Sequence, residues 1–114
     1  MSVVEQGHEI GKMLSEEKVT KSQLRKFLSA VNSIQNKAQI VEGDILTDSI
    51  SDEIQYLRVK LAYQTGRDLK KLSNFQKQLD PIIKNIGNSK QKWSEFARLM
   101  ETIVAYHKFE GGKE

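Results

Sequence analysis

Basic side chains are the residues of this sequence best placed to do chemistry, and the chemistry they suggest is phosphate binding. Lys21, Arg25 and Lys26 lie near the start of a predicted helix. Cations are unfavourable there for the helix dipole, so an external anion is one explanation for them. Lys60 and Arg67 follow in a second predicted helix. The alternative is that all five are simply solvated, as cations on a helix surface usually are.

Charge is segregated along the chain, whose net charge is only +3. Residues 18–37 hold five basic and no acidic side chains, and residues 54–98 hold ten basic against three acidic ones. Between them, residues 38–53 hold five acids and no base. Two basic blocks of this kind indicate a surface that meets a polyanion, either RNA, DNA or an acidic protein face.

The sequence predicts neither a catalytic centre nor a metal or cofactor site. The 114 residues include no cysteine, which excludes disulfides, thiolate zinc sites and a cysteine nucleophile. His8 and His107 are the only two histidines, and neither has a metal-ligand spacing to nearby residues. We expect His107 to be packed on an apolar helix flank and His8 to be exposed. Carboxylate pairs such as Glu95 with Glu101 occur routinely in helices rich in Glu.

The elements that must position the cations are helices, and we predict one all-α domain, a compact bundle of four to five helices. Residues 1–17 are expected to form a loosely ordered first helix, with Gly7 and Gly11 as gaps in its apolar face. Residues 18–110 form the core bundle, and residues 111–114 a frayed tail. The start of the chain has no leader-like pattern and no run approaches a membrane span, so a soluble, cytoplasmic protein is expected.

The predicted helix boundaries follow from capping and turn residues. Thr20 and Gln23 match a capping box at the start of the best-defined helix. Gly66 is expected to end the third helix in the left-handed conformation that glycine tolerates. Pro81 is expected to kink or restart the fourth helix, with Asp80 as the new N-cap.

A further row of cations lies along the predicted fourth helix. Lys70, Lys77 and Lys84 repeat every seven residues, which places them about 10 Å apart on one flank at 1.5 Å per residue. They are weaker candidates for nucleic-acid contacts.

Three segments in this order resemble the small subunit of Csm-type (type III-A) CRISPR effector complexes. They are TKSQLRKFL at 20–28, LRVKLAYQTGR at 57–67 and ETIVAYHKFEGG at 101–112. The chain departs from the family pattern at Val59, where proline is more frequent, and at Lys21, where threonine is common.

The resemblance implies a non-catalytic helical subunit that stacks in several copies along the complex, opposite the guide-holding backbone subunits. It implies contacts with the other subunits, with copies of itself, and with the backbone of guide RNA and target RNA. Such contacts would lack base specificity, because phosphate contacts position a strand while guide pairing reads its sequence. On this sequence, the resemblance places the phosphate contacts at five cations of the matching segments: Lys21, Arg25, Lys26, Lys60 and Arg67. Gln23 and Tyr63 would add polar or stacking contacts.

Two other functions remain open on the sequence alone. A helix, a turn at Gly66 and a second helix can mimic a helix-turn-helix, which would indicate a DNA-binding regulator. A helical adaptor with an acidic protein partner would equally use a basic face.

Overall fold

The computed structural model describes residues 2–114, which form five α-helices. These are α1 (Val3–Glu16), α2 (Lys21–Ala38), α3 (Asp48–Arg67), α4 (Leu69–Lys84) and α5 (Lys90–Phe109). Only two isolated β-bridges and no sheet occur in this part of the chain, so the predicted all-α bundle is confirmed. Within the same residues, no helix is long and apolar enough to cross a membrane. The division into a loosely ordered first helix, a core bundle and a frayed tail stays a prediction.

Helix α2 packs between α3 and α5 and runs antiparallel to α3. At one end of the pair, the Gln64 side-chain amide donates to the backbone carbonyl of Gln23. At the other end, Lys37 Nζ lies 2.8 Å from Glu53 Oε1. The predicted capping box of α2 is confirmed, because Thr20 and Gln23 exchange both side-chain hydrogen bonds.

Helices α3 and α4 form an antiparallel hairpin. The Ser51 hydroxyl donates to the Gly87 carbonyl, and Arg58 holds the Asp80 carboxylate through Nε at 2.9 Å and Nη2 at 3.2 Å. Hydrogen bonding to Asp80, opposed by some desolvation, raises the pKa of the Arg58 guanidinium. The two helices therefore lie side by side along much of their length.

Two details of the predicted breaks in this hairpin are wrong. The third helix ends at Arg67, one residue beyond the predicted Gly66, but Gly66 is still helical and does not take the predicted positive φ. Helix α4 runs through Pro81 without restarting, and Asp80 binds Arg58 instead of capping a new helix. A proline in a helix interior removes one backbone hydrogen bond, and packing against α3 outweighs that loss here.

Helices α1 and α5 run parallel and touch through glycines. Gly7 and Gly11 are buried, and a Cβ atom added to Gly11 would lie 2.8 Å from both His107 N and Ile103 O. The interpretation of these glycines as gaps in the apolar face is therefore wrong. Small residues one turn apart let two helix backbones approach closely.

The histidines lie at the end of this helix pair. His107 is 2% exposed and its Nε2 lies 2.7 Å from the Val19 carbonyl oxygen, so the predicted packed histidine is confirmed. His8 is only half-exposed, contrary to expectation. Its ring stacks on Tyr106 with centroids 4.1 Å apart, and its Nε2 lies 2.7 Å from Glu110.

One continuous apolar core joins all five helices. Its largest fully buried side chains are Trp93, Phe75 and Phe96. The Trp93 indole N–H donates to Gln35 Oε1 at 2.7 Å and thereby ties α5 to α2. A buried indole N–H needs such a partner, since leaving it unpaired is costly.

Candidate nucleic-acid interface

An open groove of about 490 Å³ runs between α2 and α3 on the surface of the bundle. Helix α2 contributes one wall and helix α3 the other, and no acidic side chain lines it within the described part of the chain. We call it the α2/α3 groove. Its lining residues are Lys26, Phe27, Ala30, Tyr56, Val59, Lys60, Tyr63, Gln64 and Arg67.

Three of the predicted cations meet in this groove. Lys26 comes from α2, and Lys60 and Arg67 come from α3. All three are exposed, and none forms an ion pair with another described residue. Lys60 and Arg67 are seven residues apart, about 10 Å along the helix axis. The groove therefore holds three cations without an ion-pair partner in the described part of the chain, and carboxylates line only the adjoining cavities, with Asp68 near Arg67 and Asp52 and Glu53 near Lys60.

Aromatic and apolar side chains share the same face of α3. Tyr56, Val59 and Tyr63 are spaced at three and four residues, which places them on one stripe. They are 57%, 53% and 70% exposed, although side chains of this kind usually favour burial. Exposed rings beside cations are what single-stranded or unstacked nucleic acids use as stacking platforms.

Gln23 lines a smaller cavity of about 220 Å³ next to the groove, and its side chain is engaged within the protein. Its Nε2 donates to Asp68 Oδ2 at 2.8 Å, and its Oε1 accepts from Thr20 N at 2.9 Å. The amide thus holds the start of α2 against the junction of α3 and α4. Its predicted role as a nucleic-acid contact stays a prediction.

Lys21 and Arg25 lie on a different side of α2, against α5 rather than α3. They line a separate cavity of about 270 Å³ together with Lys108. Lys21 Nζ lies 3.6 Å from the Glu114 carboxylate. The structure therefore divides the five cations of the sequence prediction between two surfaces.

Lys70, Lys77 and Lys84 are exposed on α4 and line none of the described grooves next to α2. Their role in binding nucleic acid stays a prediction.

Sequence reasoning missed some of the groove. Val59 was named only as a departure from the family pattern, although its spacing to Tyr56 and Tyr63 is a usable signal for a shared helix face. Phe27 and Ala30 were not recognised as groove residues because they belong to the predicted core face of α2, and Phe27 is indeed 2% exposed.

Metal binding has no support in the described residues, which contain no group of three or more His, Cys, Asp or Glu side chains able to hold an ion.

Comparison with known proteins gives a consistent result. Residues 1–113 match the family described as Csm2 Type III-A. A Streptococcus thermophilus protein described as CRISPR system Cms protein Csm2 is 36% identical over 97 residues, 84% of this chain and 76% of the relative. The protein of that name from Enterococcus italicus is 30% identical over 96 residues, 80% of this chain and 67% of the relative. The protein of that name from Mycobacterium tuberculosis is 34% identical over 92 residues, 80% of this chain and 74% of the relative.

The whole-chain match and the three relatives agree with the resemblance found in the sequence. The chain belongs to the Csm2 family of type III-A CRISPR systems.

Proposed function

We propose that this Csm2-family protein is a non-catalytic small subunit of a type III-A CRISPR ribonucleoprotein. In this proposal it stacks in several copies and uses the α2/α3 groove to hold the backbone of the guide and target RNA. The observation that carries the RNA-binding part is the convergence of Lys26, Lys60 and Arg67, all exposed and unpaired, on a groove without acids.

The groove dimensions suit a nucleic-acid backbone. From Tyr56 to Arg67 the α3 wall extends over about 16 Å at 1.5 Å per residue. Cations spread over that length can contact two or three successive phosphates, and the contacts carry no sequence information. The exposed Tyr63 ring between Lys60 and Arg67 supplies an apolar surface for a sugar or an unstacked base.

A helix-turn-helix regulator fits the geometry less well. The two helices of that motif cross at about 90–120° and are joined by a turn of three or four residues. Here one residue, Asp68, separates α3 from α4. The hydrogen bonds from Arg58 to Asp80 in α4 and from Ser51 to Gly87 just after α4 align the helices antiparallel. Neither helix is held out to enter a major groove.

The test is to replace Lys60 and Arg67 with alanine and measure RNA association of the assembled complex as a function of salt. The logarithm of the association constant falls linearly with the logarithm of the salt concentration. Each lost phosphate contact should reduce the magnitude of this negative slope by about 0.7 to 0.9 per subunit. We expect K60A/R67A to weaken binding and to flatten that slope by about 1.5 per subunit engaged.

The matched control is K12A/R98A, which removes one lysine and one arginine from exposed positions on α1 and α5 outside the groove. It changes the net charge equally, so it isolates the effect of position. If both double variants lose affinity to the same extent, general charge explains the binding and the groove assignment is wrong. If an acidic protein, and not RNA, competes for the groove, the adaptor function replaces the proposal.

A further inference from the structure

The loop between α2 and α3 presents an acidic, apolar surface that nothing in the described chain covers. Ile40 and Ile45 are 77% and 68% exposed. Glu42 and Asp44 are exposed beside them, and neither side chain has a hydrogen-bond or ion-pair partner among the described residues. We call Ile40, Glu42, Asp44 and Ile45 the acidic knob.

Hydrogen bonds to the start of α5 and to the turn before it hold the acidic knob in place. Leu46 is buried and its N–H donates to the Asn88 carbonyl at 2.8 Å. The Lys90 N–H donates to the Asp44 carbonyl at 3.0 Å, and Lys90 Nζ donates to the Val41 carbonyl. A surface that is already ordered loses less conformational entropy on binding.

A surface of opposite character lies at the other end of the same helices. The cavity of about 270 Å³ between α2 and α5 has an apolar floor and a cationic rim. We call it the basic socket. Its apolar floor includes Leu24, Val104 and Ala105, and its cationic rim consists of Lys21, Arg25 and Lys108.

The basic socket already accepts a carboxylate. Glu114 of the same chain lies 3.0 Å from Lys108 Nζ and 3.6 Å from Lys21 Nζ. Glu114 is 70% exposed, and such exposed ion pairs are weak and easily exchanged. Arg25 forms no ion pair with a described residue and remains available for a second carboxylate.

Knob and socket lie at opposite ends of the antiparallel pair α2 and α5. The socket uses the first turns of α2 and the last turns of α5, whereas the knob follows α2 and contacts the start of α5. Lys21 and Ala38 are about 26 Å apart along α2 at 1.5 Å per residue. Two different, complementary surfaces at opposite ends give a head-to-tail contact that repeats instead of closing as a two-fold dimer.

We infer that the acidic knob of one copy docks in the basic socket of the next copy. This inference rests on the proposed stacking of copies and names the surfaces that make it. Ile45 enters the apolar floor, and Glu42 and Asp44 meet Arg25 and the lysines of the rim. Opposite charges on the two surfaces fix the direction of the stack. Lys21 and Arg25 then bind a neighbouring protein chain, and the α2/α3 groove stays free for RNA.

The first test uses the absence of cysteine from the sequence. The variant I45C/A105C places one thiol on the knob and one in the socket of every copy. Treating the assembled complex with a short bis-maleimide should give a ladder of dimers, trimers and higher species on a denaturing gel. The control I45C/K77C carries the same number of thiols, with the second one on α4. We expect at least fivefold more ladder from I45C/A105C.

Charge reversal provides a second, independent measurement. R25E/K108E gives an acidic socket and E42K/D44K gives a basic knob, so each double variant should lower the number of copies per complex. The fourfold variant combining them should restore that number, because opposite charges face each other again.

Several results would overturn the inference. These are equal cross-linking in both cysteine variants, cross-links to a different subunit only, or a fourfold variant that folds but does not restore stacking. Neither test touches Lys60 or Arg67. If I45C/A105C gives a ladder but K60A/R67A binds RNA normally, the contact between copies is supported and the RNA-binding role of the groove is wrong. If I45C/A105C gives no ladder but K60A/R67A loses RNA binding, the groove assignment is supported and the contact between copies is wrong.

Discussion

Replacing two of the glycines by alanine should change stability in opposite directions. Gly66 lies within α3, has no positive φ, and a Cβ atom there would have no other atom within 4 Å. Alanine is favoured over glycine inside a helix by about 0.5–1 kcal/mol. Gly66 is the second-last residue of α3, so we expect G66A to raise the free energy of unfolding by up to that amount.

Gly11 should behave in the opposite way because its neighbours are backbone atoms. An added Cβ would lie 2.8 Å from His107 N and from Ile103 O, and neither atom can rotate away. Overpacking of this kind costs about 1–3 kcal/mol, and the helix preference for alanine offsets about 1 kcal/mol of it. We expect G11A to lower the free energy of unfolding, by up to about 2 kcal/mol.

Urea unfolding followed by circular dichroism at 222 nm measures both effects on the same scale. For a domain of this size, the G66A gain corresponds to a rise in Tm of up to about 4 °C. The wild-type protein is the common reference, and an unchanged m-value in each variant shows that the comparison is valid.

The sign of the stability change in G66A decides whether the backbone of Gly66 is helical or left-handed. A left-handed Gly66 would make alanine unfavourable by about 1–2 kcal/mol. A loss of stability in G66A would therefore refute the helical conformation of Gly66, and an increase in G11A would refute the backbone contact between α1 and α5.

Two further predictions follow from single hydrogen-bonded groups. Q35A leaves the buried Trp93 indole N–H without its partner, so it should lower the free energy of unfolding by about 1–3 kcal/mol in the same urea experiment. The pKa of Glu114 is lowered from its ordinary value of 4.5, mainly by its hydrogen bond to Lys108 and then by the charges of Lys108 and Lys21. The contribution of the Glu114 carboxylate to stability is therefore present above pH 4.5 and is lost as the pH falls through the lowered pKa of the folded protein. An NMR titration of the Glu114 carboxyl should give a midpoint below 4.5 that returns to the ordinary value in K21A/K108A.

The sequence by itself determined the helical fold and the type of chemistry. The apolar stripe of α2 repeats at three and four residues behind the capping box of Thr20 and Gln23, and this local pattern specifies the helix before any tertiary contact forms. The excess of cations in residues 18–37 and 54–98 is likewise a property of composition. Both signals are local, so they can be recognised without knowing which helices are neighbours.

Helix boundaries at glycine and proline needed the tertiary structure. Pro81 carries the local features of a helix break, yet α4 continues through it because it packs against α3 along its length. Gly66 lies one residue from the end of α3, and only its helical backbone, in place of a left-handed one, needed the structure. Gly7 and Gly11 look like weaknesses in a short helix, and they are the points where α1 meets α5. Local propensity differs by about 1 kcal/mol per residue, which packing readily exceeds.

Only the tertiary structure decided which cations act together. Arg25 and Lys26 are consecutive in the sequence but about 100° apart around the helix axis. With α3 on one side of α2 and α5 on the other, Lys26 joins Lys60 and Arg67 in the α2/α3 groove, while Arg25 joins Lys108 in the basic socket. A surface is formed by side chains from different helices, and the partners of each helix are set by long-range packing of the core.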